Sequence, residues 1–550
     1  MNELFEKELD EFSDCGVDRT KPQDLASNEA YRALPLSSKI DDIKIRPENI
    51  LVINDCESEF EEKVMLTTLK EVRDKKGKKS MRLTTDVAEK HKVVNKIHDG
   101  QSLIDKSLMP EKYQSKGMLL LRHIYFKSCC FNANIQQWFK DNGITDVSQL
   151  NGLTVAKDIK DIKLITTPSS IKYIKFGGDD WFTEWLQAVQ NTKKDFGIVK
   201  YEKPTKYFDG DFVRTHYQIL NSIQLEIEEV QKLAVHSVEY LHRLRTDYIA
   251  MLTYCMEHED DEDTDLRLNA NADIIYRLGK NNIDFKDTEY YSTLAKNIVE
   301  QLRSDIKIGR ILVRGNYSTL LGNPIEMLQA SIGKWNGESQ VGIGNIVSTA
   351  FEPKKLLAAR APHICAGNIY LPTNTKNELV ERYINLTDNI VVINSIGENT
   401  LQRLSGADMD SDVFLLTDNE ILIKGAEKNY DKMLVPTTDI EAQKKKLEYT
   451  PKNLAKLDHD TAKNLIGQIV NLSQIYNVGM PIATNEMIAN LQALRELGAI
   501  SIESVMEKSD IVTDVDVEKK RLASEGDVQK HKENQGDNPS KEVGNKEDMN

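Results

Sequence analysis

The sequence predicts an α+β chain in which two β-rich blocks flank a helical connector, followed by a helical C-terminal segment and a disordered tail. Three observations predict it. Short apolar runs punctuated by glycine and aspartate fill residues 45–200 and return from Gly309, which is strand patterning. Between them, from Tyr217, apolar residues recur at three- and four-residue steps, the period of a helix. From about Ile511 the apolar pattern is lost, so no face remains to bury.

Taken in order, residues 1–44 form a mixed, polar N-terminal segment. Its opening, "MNELFEKELDEF", is acidic and lacks the basic and apolar regions of a secretory signal. A first β domain is expected over 45–205, introduced by "DDIKIRPENILVIND". Its interruption "KEVRDKKGKKSMR", Lys70 to Arg82, is basic; such a run is ordinarily a solvated hairpin tip, with phosphate contact as the second reading. The connector, 206–305, carries a stripe of Ile219, Ile223, Ile227, Val230, Ala234, Leu241, Leu244 and Tyr248, which places one apolar face on a long helix. It ends at the acidic knot "EHEDDEDTD", read as a solvent loop, before a second helical stretch, "YYSTLAKNIVEQLRSDI". "GRILVRGNYSTLLGNPIEML" restores strand chemistry and opens a second β domain over 306–435. Residues 436–510 include "DTAKNLIGQIVNLSQIYN" and "NEMIANLQALRELGAI", both of helical period, and 511–550 form the tail.

At 550 residues the chain is too long for one ordinary core. It has no apolar run near the roughly 18 residues of a membrane helix, so a soluble, cytoplasmic protein without a membrane partner is expected. Six cysteines without a C-x-x-C pair indicate neither zinc nor a disulfide framework, and read as reduced, buried thiols. A formal charge of −15 argues against a nonspecific nucleic-acid coat, so local basic patches must carry any contact with phosphate.

Chemistry concentrates in "SGADMDSDVFLLTDN", Ser405 to Asn419. Asp408, Asp410 and Asp412 repel one another unless a positive charge sits among them. In an extended segment side chains at i, i+2 and i+4 share one side, so the three present a single acidic face suited to a divalent cation. An EF-hand fails: its sixth position would be Val413 and its twelfth Asn419, and "VFLL" is strand-like. Few carboxylates, with room left for water and phosphate, is the usual magnesium arrangement; an acidic surface turn without metal is the alternative.

"RLSGADMDSDVFLL" resembles the signature of the two-barrel (double-psi β-barrel) RNA polymerase superfamily. That group includes cellular multisubunit enzymes, the RNA-dependent RNA polymerases of RNA silencing, and single-subunit bacterial and phage relatives; the likeness is greatest to the last two. The signature reads Gly or Asn, Gly or Ala, Asp, apolar, Asp, Gly, Asp, then a strand, so Asp408, Asp410 and Asp412 fall on its metal ligands. Upstream, "LLAARAPHICAGNIYLPTN" is similar to the family's Arg-x-Pro segment and places Arg360 near the metal, while "NIVVINS" supplies the preceding strand. "HDGQSLIDKSLM" and "GMLLLRHIYFKSC" resemble the D-G-x-x-x-I segment and the lysine-bearing strand of the first barrel; Lys127 takes the lysine's place, with Lys106 a second candidate. "TAKNLIGQIVNLSQIYN" is similar to the helix after the catalytic barrel, through Gly467 and Asn471. The likeness spans roughly 45–500 and is sharp only at the aspartates and Arg360.

The resemblance implies two double-psi barrels joined by the connector. It also implies a nucleotidyltransferase that extends RNA 3′-ends with nucleoside triphosphates on a nucleic-acid template, RNA favoured and DNA open. Magnesium would be the cofactor in a two-ion mechanism, with manganese as a substitute, and Lys127, Arg360 and Lys106 would bind substrate. Two features depart from the family: Ser411 stands where glycine is usual, and little chain is left for accessory elements, so further protein subunits stay open as partners. The alternatives are a catalytically inactive two-barrel protein that binds nucleic acid or regulates, and a protein whose metal only ties down a loop. His363 reads as a packed or exposed histidine rather than a general acid, and "VRGNYSTLLGNP" as a sharp turn rather than a phosphate loop.

Overall fold

The computed structural model describes residues 13–73, 77, 79–206, 208–258, 266–363, 365–428, 430–439 and 446–461. The acidic knot from residue 259, the C-terminal helices expected beyond residue 461 and the tail lie outside the described residues. Eighteen strands are described, and most fall into two mixed sheets, each curled into a half-barrel, in an α+β architecture.

The first sheet is built from β1 (Asp41–Ile43), β2 (Ile50–Val52), β5 (Gln101–Asp105), β6 (Met118–His123), β7 (Phe126–Ala133), β8 (Leu164–Thr166) and β9 (Phe196–Tyr201), in the order β1-β9-β6-β7-β5-β8-β2. Inserted between β2 and β5 are β3 (Glu57–Arg73) and β4 (Lys79–Lys96). These are 17 and 18 residues long, where sequence reading expected only short runs. Alternating glutamate, lysine and threonine hid their length, because neither face is continuously apolar.

The second sheet contains β10 (Phe212–Arg214), β11 (Leu312–Gly322), β12 (Asn345–Ser348), β13 (Leu357–Ala359), β14 (Ile369–Tyr370), β15 (Thr373–Asn374), β16 (Ile390–Ile393) and β17 (Val413–Thr417). Its spine is β11, parallel to β16 on one side and antiparallel to β17 on the other. β7 stands likewise in the first sheet, parallel to β5 and antiparallel to β6. A last strand, β18 (Pro436–Asp439), lies beside β3.

Four helices connect the sheets: α1 (Ile227–Thr246), α2 (Tyr248–Glu257), α3 (Leu266–Gly279) and α4 (Glu289–Lys307). The single long helix expected from Tyr217 is broken. Residues 218–222 form a short helix, Ile223 is extended, and α1 restarts behind a capping box in which the Glu229 carboxylate accepts from the Glu226 N–H at 2.8 Å. The buried stripe of α1 is Leu233, Ser237, Tyr240 and Leu244, whereas Ile227 and Val230 are exposed. Packing against α4 and β11 rotated the inward face; Ser237 Oγ accepts from the Leu312 N–H at 2.8 Å, so a polar residue holds a core position.

One core runs through both sheets, with Leu103, Phe131 and Ile165 of the first meeting Leu321 and Val392 of the second and Ile325 of the helix Pro324–Ser331 that follows β11. Each such side chain contributes about 1.5–3 kcal/mol by leaving water. One buried polar tie between the sheets is Gln101, fully inaccessible at the start of β5. Its Nε2 donates to the Gly322 carbonyl at 2.9 Å and its Oε1 accepts from the Gly322 N–H at 2.7 Å. Gln101→Leu strands both backbone groups in the core, and each orphan costs about 1–3 kcal/mol. Urea denaturation should therefore show a loss of roughly 2–6 kcal/mol; a loss below about 0.5 kcal/mol would show that this tie adds little to the apolar packing.

Candidate metal centre at the junction of the sheets

The aspartate turn is anchored on both sides by apolar residues. Ahead of it Leu404 and Ala407 are buried, within it Met409 is buried, and after it Phe414, Leu415 and Leu416 of β17 are inaccessible between β11 and β13. Met409 enters the core, so its neighbours Asp408 and Asp410 face outward, half-buried. The segment is a turn rather than the extended run expected from the spacing. The Asp410 N–H donates to Asp408 Oδ1 at 3.1 Å and the Asp408 N–H to Asp412 Oδ2 at 3.0 Å, which folds the three carboxylates onto one point. One oxygen from each lies within 4.8 Å of the others. Ser411, at φ 111°, occupies the left-handed region that glycine tolerates and a Cβ resists.

The first sheet provides the floor. β4 leads through Ile97 and His98 to Asp99 and Gly100, whose φ is 76°. The Asp99 carbonyl accepts from the Met409 N–H at 3.0 Å, and a Cβ on Gly100 would stand 2.5 Å from Asp410 Cβ. Glycine is required there because the two turns touch.

Cations reach the triad from both sheets. Lys127 of β7 pairs with Asp410 across the junction. Arg360, just past β13, meets Asp412 at 2.7 Å, while its other nitrogen donates to the Leu404 and Ser405 carbonyls, both at 3.1 Å. Burial, then the charges of Asp410 and Asp412, raise Asp408 to about 7. Burial pushes Asp410 upward too, yet the hydrogen bond and charge of Lys127 hold it below the usual carboxylate range. The donor set fits a hard divalent cation: three converging carboxylate oxygens, one of them costly to ionise without added positive charge.

Lys106 is not brought to this point. It lies exposed in a turn after β5, while β5 runs parallel to β7 with Gln101 opposite Cys129. Lys127 therefore lies two residues before that pairing and Lys106 one past its end, roughly 23 Å apart along the strand direction. His363 is buried, and burial followed by the charge of His216 lowers it to about 3, in keeping with a packed histidine. Asn323, at φ 38°, makes the sharp turn read in "LLGNP".

Two cations were missed. Arg122 sits opposite Lys127 in the β6–β7 hairpin, close enough for the charge of Asp410 to act on it, while burial lowers its pKa. The signal was "RHIYFK", in which two turn residues place positions 122 and 127 in register. Lys172, whose pKa burial also lowers, feels the charges of Asp99 and Lys127 and donates to the Ser169 carbonyl. Nothing local in the sequence marked it.

No family model matches the chain, and no curated protein does. Among solved structures the chain is similar to the RNA-dependent RNA polymerase QDE-1 from Thielavia terrestris, at 10% sequence identity and a TM-score of 0.48. The match covers 93% of this chain and 50% of that one, so the chain spans about half the length of that polymerase. Among the described residues no helix is long and apolar enough to cross a membrane.

Ser411→Gly should relieve the turn. Strain of about 1–3 kcal/mol is removed and about 0.5–1 kcal/mol of unfolded-chain entropy is added. The net gain of about 1 kcal/mol is readable as a higher urea midpoint, and a loss of stability would mean that the Ser411 side chain contributes a contact outweighing its backbone strain.

Proposed function

We propose that the chain is a nucleotidyltransferase, a template-directed RNA polymerase that extends RNA 3′-ends with nucleoside triphosphates, with RNA the favoured template. One observation carries this reading: the three carboxylates of the signature-like turn converge beneath a lysine from the other sheet and an arginine from their own. The resemblance of "RLSGADMDSDVFLL" to the polymerase signature supports the same assignment.

In the reaction the 3′-oxygen of the growing strand bonds to the α-phosphorus, the bond from that phosphorus to the bridging oxygen breaks, pyrophosphate leaves, and the hydroxyl proton passes to solvent. Asp408, Asp410 and Asp412 would hold magnesium, which when bound lowers the pKa of the 3′-hydroxyl and offsets charge on the phosphoryl group. Lys127 offers a fixed ammonium to the triphosphate at a half-buried point, where positive charge is worth more than in water. Arg360, braced by the Leu404 and Ser405 carbonyls, orients ribose or phosphate.

Labelled-nucleotide incorporation on single-stranded RNA and DNA tests this. Product should require magnesium, vanish with EDTA, fall by about 1000-fold in Asp410→Ala and by about 100-fold in Lys127→Ala. Absence of product on both templates, with binding intact, rejects the activity.

Metal and proton compete at Asp408. The folded carboxyl is raised to about 7 while the unfolded one stays near its ordinary value of about 4, so the folded chain binds the extra proton in between. Without metal, stability should fall as pH rises through that window and level off above it. Magnesium must displace the proton, so its increase in melting temperature should be larger at pH 8 than at pH 6; a gain independent of pH would separate Asp408 from the ion.

A further inference from the structure

We infer that the β3–β4 ribbon is a nucleic-acid arm, whose far, basic end contacts the phosphates of a duplex extending from the metal centre. The identity of that duplex as template and product rests on the proposed activity; the arm's affinity for a duplex does not.

The ribbon pairs without interruption of its course from Glu57 opposite Lys96 to Arg73 opposite Lys79, with one bulge near Glu62. Its root is locked to the second sheet. Asn95 Nδ2 donates to the Ser395 and Glu398 carbonyls at 2.8 Å each, and Ser58 Oγ accepts from the Gly397 N–H at 3.0 Å. β4 then passes directly into the Asp99–Gly100 turn beneath Asp410. The only described strand beside the ribbon is β18, which pairs with Met65 to Thr68 and goes no further. Beyond Thr68 the described ribbon is two-stranded, and Lys70, Glu71, Lys79 and Asp86 are exposed. A bare two-stranded ribbon is marginal in water, so this length of one is not explained by its own stability.

Charge separates the two ends. At the root, cations face acids across the strands: Lys63 meets Glu89 at 3.0 Å, Lys92 meets Glu59 at 2.9 Å and Lys90 meets Glu61 at 3.8 Å. At the far end the register puts Lys70 opposite Arg82 and Arg73 opposite Lys79. Like charges directly opposed destabilise a ribbon, and a hairpin selected only to fold would carry the root's alternation throughout. The pairs Lys70–Asp86 and Lys79–Glu71 are exposed, and exposed pairs are weak enough to exchange for phosphate. In a chain of net charge −15, this concentration of cations points to a polyanion.

Geometry favours a duplex over an acidic protein. At about 3.4 Å per residue the arm reaches roughly 50 Å from its root, the span of about 15 base pairs, and a two-stranded ribbon of that length can track a duplex backbone.

The test compares binding of labelled RNA and RNA–DNA duplexes of about 10 and about 24 base pairs across about 50–300 mM salt. The native chain should bind the long duplex at least about tenfold more tightly, because only that one spans the arm. The variant Lys70→Gln, Arg73→Gln, Lys79→Gln, Arg82→Gln should lose this gain and lower the slope of log affinity against log salt by about 2–4. Lys79→Gln with Arg82→Gln should show about half the effect, and decides the matter if the fourfold variant melts early. The root variant Lys63→Gln, Lys90→Gln, Lys92→Gln should retain the length gain and slope. Equal slopes in the native and far-end variants, equal losses in the root variant, or no length dependence in the native chain would overturn the inference. Arm-dependent binding without nucleotide incorporation would support the arm and reject the polymerase; incorporation with arm-independent binding would do the reverse.

Discussion

The mutual repulsion of Asp408, Asp410 and Asp412 is the constraint around which the molecule is arranged. With carboxylate oxygens within 4.8 Å, each charged pair costs roughly 3 kcal/mol at an effective dielectric near 20. The chain offsets part of this by bringing Lys127 to Asp410 and Arg360 to Asp412, and leaves the remainder on Asp408, whose carboxyl is raised to about 7. That residue of unfavourable charge is what gives the turn its affinity for a cation. Proteins keep such strain where the surroundings over-determine it, and here the surroundings are two sheets and a shared core.

The junction explains several features that look unrelated along the chain. Gly100 and Gly322 are both approached too closely for a Cβ, the first by Asp410 and the second by the Ile97 carbonyl and Met409. Gln101 joins the sheets through Gly322, and His98 faces the Asn323 carbonyl at 3.0 Å. Residues 97–101 thus serve at once as the root of the ribbon, the floor of the aspartate turn and the tie to β11. A displacement of that segment would move the carboxylates, the cation from β7 and the ribbon together.

Legibility in the sequence followed the range of the interactions concerned. Apolar runs and turn residues revealed strands in both halves and helices between, because patterning reflects only which face is buried. The breakage of the expected long helix did not show, since Ile219 and Ile223 pack against Val213, Ile311 and Leu357 while Leu244 joins a cluster with Met251 and Ile298. The length of β3 and β4 was obscured by their charge. Arg122 could have been found from a two-residue hairpin, but Lys172, whose charge couples to Asp99 and Lys127, opens a separate 3-10 turn and left no local trace.

By itself the sequence determined the chemistry on offer: three carboxylates spaced by single residues, a strand to hold them, and basic residues elsewhere in the chain. Only the tertiary structure decided which cation answers which carboxylate. Lys127 and Asp410 are 283 positions apart and meet because the β6–β7 hairpin and the β17 turn come together at the sheet junction. Lys106, equally plausible by charge, is carried past the far end of β5. Charge and spacing are local properties of a chain, whereas the facing of one side chain by another depends on register and packing that every strand of both sheets helps to set.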